Sequence, residues 1–193
     1  MNKIKKQNKI IESALKIFSK NGFYNTTVSH ITDDLEMSVG NFYNYFPSKK
    51  ALARAAIVFV TKKLASSLRY INNQDITSYE KISIFVKDYF NFIQKNPEMI
   101  EYFFRVYLSN REIFCEHEDC GFALAKDFID EVKILIKNGV ENGDFAEKDF
   151  FVAFSCITGI LGGMTFLSGE HVLEDKIETY CDDVAKTICR AMK

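Results

Sequence analysis

The sequence predicts an all-α fold of about nine helices. Apolar residues recur at helical spacing along most of the chain, and no stretch alternates convincingly between polar and apolar residues. The 193 residues include only 2 Pro and 9 Gly, so helix-breaking positions are few. A hydrophobic content of 47% with 26% charged residues is typical of a globular protein and excludes disordered and collagen-like chains.

The first three predicted helices are short and have recognisable ends. Residues 4–20 show the periodicity of an amphipathic helix, which we expect Gly22 to end. Thr27 and Ser38 are positioned as N-caps of the second and third helices. Short helices joined by a tight turn are typical of a helix-turn-helix unit.

The remaining elements are longer. Pro47 ends the third helix, Ser48 caps a fourth that runs towards Tyr70, and residues 72–75 form the clearest linker. Further helices are predicted at about residues 79–93, 98–109, 122–141, 150–167 and 175–191, with an irregular stretch at 110–121.

Charge is distributed unevenly although the net charge is only −1. Residues 1–70 hold 12 Lys/Arg against 4 Asp/Glu, a balance of +8, whereas residues 71–193 hold 13 against 22, a balance of −9. A basic N-terminal third on an acidic body predicts a module that binds a polyanion.

Residues 10–57 resemble the N-terminal signature of the TetR family. The residues that carry this resemblance are Gly22-Phe23, Thr26-Thr27-Val28, Ile31, Ser38-Val39-Gly40, Phe42-Tyr43-Asn44-Tyr45-Phe46 and Ser48-Lys49-Lys50-Ala51-Leu52. The resemblance implies a DNA-binding domain at residues 1–47 and a helical domain for effector binding and dimerisation at residues 48–193. It implies a regulator of transcription, most often a repressor, and not an enzyme.

Two departures from the family pattern affect the second helix and the turn after it. The family usually has a small residue and a glycine where this chain has Leu35-Glu36-Met37. Either Glu36 adopts a positive φ at a cost of roughly 1 kcal/mol, or the turn has a slightly different shape that re-aims the third helix. Thr32 and Asp33 stand where alanine and another small or polar residue are common, and they predict altered packing of the helix.

The third helix is the candidate recognition helix, because such a helix places its N-terminal residues at base edges in the major groove. Ser38, Val39 and Gly40 are small enough for close approach. Asn41 can both donate and accept, which suits an adenine edge, and Val39 can contact a thymine methyl group.

The resemblance extends the candidate DNA contacts to neighbouring residues. It implies phosphate contacts from Thr27, Tyr43, Tyr45 and Lys49, and it places Ser29, His30 and Asn44 near base or backbone. Phe42 and Phe46, one turn apart, are expected in the core. Lys3, Lys5 and Lys6 form a basic arm that can reach phosphates or a minor groove.

Aromatic residues are concentrated in the middle of the chain, with twelve in residues 78–128. Such a stripe is usually core, but the resemblance places the effector pocket of the family here. The candidate effector-binding residues are Phe85, Tyr89, Met99, Phe103, Tyr107 and Phe128. An apolar or aromatic small molecule is the expected ligand.

Residues 150–167 form a run of 18 residues without a charge. Its length reaches the threshold for a membrane span, yet acidic flanks and several small polar residues favour a helix buried at a subunit interface. The candidate interface residues are Ser155, Thr158, Gly159, Gly162 and Phe166. With the last helix they predict a four-helix bundle in a homodimer.

Cys115, His117 and Cys120 suggest an alternative, a redox- or metal-sensing regulator. The spacing lacks the paired pattern of structural zinc, so no metal and no cofactor are predicted. An enzyme is not supported, since there is no Gly-rich nucleotide motif and the three histidines are scattered. No signal-peptide pattern follows the basic N-terminus, which predicts a cytoplasmic protein without a membrane partner. The expected partners are double-stranded operator DNA, a small effector and a second copy of the chain.

Overall fold

The computed structural model describes residues 3–115 and 121–193, and the regular elements within these ranges are all helical. The first four helices are α1 (Lys3–Asn21), α2 (Val28–Asp34), α3 (Val39–Tyr43) and α4 (Lys49–Asn72). They are followed by α5 (Ser78–Lys95), α6 (Pro97–Tyr102), a π-helical segment (Phe103–Leu108), α7 (Arg111–Phe114) and α8 (Gly121–Leu124). The last elements are α9 (Lys126–Glu141), α10 (Phe150–Gly169), a 3₁₀ turn (Ile177–Tyr180) and α11 (Cys181–Ala191). The all-α prediction is confirmed.

The described residues hold eleven α-helices where the sequence predicts about nine. Helix α7 lies inside the stretch expected to be irregular, and α8 is separate from α9. The predicted helix at 98–109 is α6 continued as a π-helix, with backbone bonds that reach one residue further. Short elements of this kind have too few residues to produce a periodic signal.

The helix ends follow the sequence chemistry. Gly22 and Gly143 have φ of +78° and +76°, the left-handed conformation that ends α1 and α9. Ser48 Oγ accepts the Ala51 N–H at 3.0 Å and caps α4. Asp149 caps α10 in the same way, accepting from Phe151 N–H at 2.9 Å.

The chain packs into two compact units, and the first comprises residues 1–62 and 96–126. Its core includes Phe18 of α1 and Tyr102 of α6, which are fully buried with ring centroids 5.8 Å apart. The Tyr102 hydroxyl donates to the carbonyl of Ala53 at 2.8 Å. Helices α1–α3 therefore share one core with α6 and the first part of α4.

The second unit comprises residues 63–95 and 127–193, and its core is formed by apolar faces of α5, α9, α10 and α11. Glu131 is buried, and its carboxylate accepts hydrogen bonds from Arg69 Nε at 2.5 Å and Asn72 Nδ2 at 3.1 Å. These bonds attach the end of α4 to α9. The division into units is one of packing, so the functional boundary at residues 47 and 48 stays a prediction.

Candidate nucleic-acid interface

Helix α2 begins with two reciprocal hydrogen bonds. Thr27 Oγ1 accepts the His30 N–H at 3.2 Å, and His30 Nδ1 accepts the Thr27 N–H at 3.3 Å. Because Nδ1 is an acceptor, the neutral imidazole carries its proton on Nε2. His30 and Thr27 are exposed, so His30 offers a ligand a nitrogen donor, and Thr27 keeps its hydroxyl hydrogen available.

The turn between α2 and α3 contains a strained residue. Glu36 has φ of +50°, and the following Met37 N–H donates to the Thr32 carbonyl at 2.9 Å. Glu36 adopts the left-handed conformation at a position where the family usually has glycine. The departure in sequence therefore changes the type of residue but not the sign of φ. Thr32 is buried, with its hydroxyl on the Ser29 carbonyl at 3.1 Å.

Helix α3 separates a buried face from an exposed one. Ser38 Oγ accepts the Asn41 N–H at 3.2 Å and caps the helix. Phe42 and Phe46 are buried as predicted, with ring centroids 6.1 Å apart. The solvent-facing positions are Ser38, Val39, Gly40, Tyr43 and Asn44, and Asn41 is half-buried. The face expected to meet base edges is therefore accessible.

The basic residues of the predicted arm lie on α1. Lys3 and Lys5 are exposed in the first turns of α1, so the predicted arm is helical from Lys3 onward. Lys6 lies with its Nζ 5.9 Å from the ring centroid of half-buried Tyr45. This contact brings the arm to α3 and was not predicted from the sequence, since the two residues are far apart in the chain.

Lys49 differs from the other candidate phosphate contacts. Its Nζ donates to the carbonyls of Phe23 at 2.8 Å and Thr26 at 2.7 Å, and it is only partly exposed. Burial lowers the pKa of this ammonium group. The sequence identified Lys49 as a site residue but did not indicate these two partners.

Residues 10–56 match the family described as bacterial regulatory proteins of the tetR family. The N-terminal domain of the chain is a TetR-family domain. The matched residues comprise the helix-turn-helix segment and the start of α4, which form the DNA-binding part of such transcriptional regulators.

Named relatives match the chain over different lengths. The transcriptional regulator YuxN of Bacillus subtilis is 49% identical over 47 residues, which cover 24% of this chain and 16% of YuxN. The repressor KstR of Mycobacterium tuberculosis is 23% identical over 152 residues, covering 77% of this chain and 64% of KstR. The matched region thus spans less than two thirds of either relative.

A solved structure shows the same fold across nearly the whole chain. The regulator FadR of Bacillus subtilis, in complex with stearoyl-CoA, superposes with a TM-score of 0.78 at 14% identity. The match covers 96% of this chain and 98% of FadR. The chain therefore has the fold of this regulator along nearly its whole length.

The candidate effector residues belong to two aromatic clusters, one in each unit. In the first unit, Phe103 and Tyr107 are stacked on the π-helical segment with centroids 5.0 Å apart, and Met99 is buried in α6. In the second, Phe85 and Phe128 have centroids 6.2 Å apart. Tyr89 lies beside Phe85, its hydroxyl oxygen is 3.1 Å from Thr165 Oγ1, and burial raises its pKa.

Helix α10 has an exposed apolar face. Ser155, Gly159 and Phe166 are exposed, and Thr158 and Gly162 are half-buried. Phe151 and Val152 extend the exposed face to the start of the helix, at 64% and 52% exposure. Gly163, which is not among the predicted interface residues, is also exposed.

By length and composition α10 is also long and apolar enough to cross a membrane, with a mean hydropathy of 1.9 over an 18-residue stretch of which 22% is buried.

The alternative of a redox or metal sensor depends on Cys115, His117 and Cys120. Half-buried Cys115 follows α7, whereas His117 and Cys120 lie outside the described residues. Across the ranges 3–115 and 121–193, no group of three His, Cys, Asp or Glu side chains is placed to hold a metal ion.

Proposed function

We propose that the protein is a ligand-responsive repressor that binds a palindromic operator as a homodimer and is released by an apolar or aromatic effector. The observation that carries the proposal is the division of α3 into a buried face and an accessible one. Phe42 anchors the helix in the core while Val39, Gly40 and Tyr43 face solvent. A protein that uses this helix for packing alone has no need of the accessible small residues at its N-terminal end.

The DNA contacts fall into two groups under this proposal. Val39 and Asn41 read base edges, and Gly40 lets the backbone approach them. Phosphates are bound by the hydroxyl donors of Thr27, Ser38, Tyr43 and Tyr45, with Ser29, His30 and Asn44 at the edge of the contact. The +8 charge of residues 1–70 supplies the long-range attraction.

The test is selection of binding sites from random DNA, which should enrich a symmetric sequence. Asn41→Ala should then weaken binding to that sequence by roughly 1–3 kcal/mol and leave binding to unrelated DNA nearly unchanged. Asn73→Ala, an exposed asparagine after α4, is the matched control. Enrichment of no symmetric motif contradicts the proposal.

A second copy of the chain is the proposed cover for α10. The exposed apolar face holds three residues without bulky side chains, Ser155, Gly159 and Gly163, which permit another helix to approach closely. With α11 this arrangement gives a four-helix bundle of two helices from each subunit. It accounts for an uncharged helix in a cytoplasmic protein without placing the helix in a membrane.

The aromatic clusters are the proposed effector contacts, and their apolar character selects the ligand class. FadR of Bacillus subtilis has the same fold and is in complex with stearoyl-CoA. Stearoyl-CoA is therefore the first compound to test, followed by identification of small molecules that co-purify with the native protein. We expect Phe103→Ala to impair the ligand response and to spare DNA binding.

A further inference from the structure

A hydrogen bond on the surface of the first unit joins α7 to the connection between α1 and α2. The Tyr24 hydroxyl donates to Glu112 Oε1 at 2.9 Å, although the two residues are 88 positions apart in the chain. The bond raises the pKa of Tyr24, because a carboxylate acceptor favours the protonated phenol. Both residues are exposed, so this bond can open without unpacking a core.

Tyr24 lies in a segment that leads directly to the first residue of α2. Its ring packs edge-on against that of buried Phe23, with ring centroids 5.4 Å apart. Thr26 is also buried, and its hydroxyl donates to the Gly22 carbonyl at 2.8 Å. The next residue is Thr27, the N-cap of α2. A displacement of Tyr24 is therefore passed along a short, internally bonded segment to the start of α2.

The other end of the bond lies beside the aromatic cluster of the first unit. Buried Phe114 of α7 contacts Tyr107 edge-on, with ring centroids 5.2 Å apart, and Tyr107 in turn stacks on Phe103. The Phe114 carbonyl accepts a hydrogen bond from Arg54 Nη1 of α4 at 2.5 Å. Because α7 is only four residues long, Glu112 moves together with Phe114. A shift of the Tyr107 ring is therefore transmitted to the Glu112 carboxylate.

We propose that the bond between Tyr24 and Glu112 is a latch by which α7 holds the start of α2 in the position that binds the operator. The inference rests on the proposed operator and effector binding. An effector that enters the aromatic stack beside α7 displaces this helix and carries Glu112 away from Tyr24. The segment before α2 is then free to move, and DNA is released. Such an effector must bind the open latch more tightly than the closed one, since equal affinity would shift neither state.

Hydrogen exchange in the free protein tests the latch without DNA or effector. The backbone amides of Thr26 and Cys115 are hydrogen-bonded, so their exchange reports local opening. Glu112→Leu removes the acceptor on α7, and the Thr26 amide should then exchange roughly threefold faster, at the low end for one hydrogen bond because the pair is exposed. Tyr24→Phe removes the donor, and the Cys115 amide after α7 should respond by the same factor. Exchange at the wild-type rate on either side overturns the proposal.

Three further variants make the exchange experiment specific. The double variant Tyr24→Phe/Glu112→Leu should exchange no faster than either single variant, because both changes break the same bond, and additive effects overturn the proposal. Glu112→Gln removes the charge but keeps an oxygen acceptor, so it should stay close to the wild type. Rates equal to those of Glu112→Leu would assign the effect to charge and overturn the latch. Tyr70→Phe removes a hydroxyl from a tyrosine of α4 that is 70% exposed, and an equal effect on the Cys115 amide there also overturns it.

Titrations of operator and of stearoyl-CoA test the regulatory role. In Tyr24→Phe the ratio of operator affinity to stearoyl-CoA affinity should fall roughly threefold, because this ratio follows the equilibrium between the closed and the open latch. An unchanged ratio overturns the proposal. So does weaker operator binding in Tyr24→Phe but not in Glu112→Leu, which would mean that the Tyr24 hydroxyl contacts DNA. Faster exchange in both variants, together with no enriched operator or no release of the wild type by stearoyl-CoA, supports the bond and shows that the proposed function has failed.

Discussion

At the scale of single residues, the turn before the recognition helix stores strain. Glu36 adopts φ of +50°, and a side chain in this conformation crowds the following carbonyl. The strained conformation is held by two hydrogen bonds that require this geometry. The Glu36 N–H donates to the Asp33 carbonyl, and the Met37 N–H donates to the Thr32 carbonyl. The position is therefore a direct test of backbone strain in a DNA-binding turn.

Glu36→Gly should stabilise the protein by roughly 0.5–1 kcal/mol, since glycine adopts positive φ without the penalty from Cβ. The gain is limited by the greater entropy of glycine in the unfolded chain. Chemical denaturation measures it, and Glu36→Ala is the control that removes the charge and keeps the Cβ. A glycine variant no more stable than the alanine variant would contradict a strained turn.

A second residue-scale prediction concerns Asp34 at the end of α2. Ser13 Oγ donates to Asp34 Oδ2 at 2.7 Å, and Lys16 Nζ lies 3.4 Å from Oδ1. The hydrogen bond from Ser13 is the main reason that the pKa of Asp34 is below its usual value. A carboxylate with a depressed pKa contributes stability that is present above its unfolded pKa and is lost as the pH falls through its folded pKa.

We therefore expect Asp34→Asn to lower the free energy of unfolding near neutral pH by roughly 0.5–1 kcal/mol, at the low end for such a bond because Asp34 is partly exposed. The difference from the wild type should shrink as the pH is lowered through the folded pKa of Asp34. Denaturation curves at several pH values measure this, with the exposed neighbour in Asp33→Asn as control. A difference that is independent of pH would exclude the ionised hydrogen bond as its cause.

At the scale of helices, the connection from α9 to α10 is a packed structure and not a free linker. An added Cβ on Gly139 would lie 2.1 Å from Phe145 Cδ2, so the ring of Phe145 occupies the space that the glycine leaves. Asp144 Oδ2 accepts the Ser78 N–H at 2.8 Å at the start of α5. Gly143-Asp144-Phe145 thus joins three helices of the second unit, α5, α9 and α10.

Gly159 of α10 provides the element-scale prediction, because an added Cβ there meets no atom within 4 Å in the monomer. Gly159→Ala should raise the stability of the isolated subunit by roughly 0.5–1 kcal/mol through helix propensity. If a second α10 packs on this face, Gly159→Leu should instead produce monomers with weaker operator binding. A more stable subunit in Gly159→Ala together with loss of the dimer in Gly159→Leu distinguishes an interface from a free surface.

Sedimentation at micromolar concentration measures the association, and Lys137→Leu on an exposed position of α9 controls for added apolar surface. A wild-type chain that sediments as a monomer, or that partitions into membranes, would defeat the proposed dimer. So would a Gly159→Leu variant that dimerises as well as the wild type.

At the scale of the whole molecule, the proposed functions are distributed over both packing units. The first unit holds the recognition helix and the Phe103–Tyr107 stack, and the second holds α10 and the Phe85–Phe128 pair. Charge is also divided along the chain, since basic residues outnumber acidic ones in residues 1–70 and acidic residues outnumber basic ones beyond them. An effector regulates DNA binding only if it binds the DNA-incompetent state more tightly.

Linkage makes this regulation measurable in two directions. A coupling of roughly 1–3 kcal/mol changes operator affinity by about 5–150-fold, and operator DNA must weaken effector binding by the same factor. Titrations of stearoyl-CoA, or of a co-purified ligand, with and without operator should therefore give different affinities. Equal affinities would show that the ligand site does not control the DNA-binding domain.

Much of the fold follows from interactions between residues that are close together in the sequence. Caps at Thr27, Ser38 and Ser48 and left-handed glycines at 22 and 143 were predictable, because each depends on residues within one turn. The core positions of Phe42 and Phe46 follow from helical periodicity. The candidate DNA-binding residues come largely from the resemblance of one contiguous motif, and their contacts with DNA stay a prediction.

The partners of side chains that are distant in the chain did not follow from the sequence. Periodicity predicts that a side chain faces inward or outward, but not which backbone it meets. The contacts of Lys49 with Phe23 and Thr26, of Lys6 with Tyr45 and of Phe145 with Gly139 result from the way the helices pack. Packing also gave the Lys49 ammonium two backbone carbonyl partners that its motif did not indicate, while its predicted phosphate contact stays a prediction.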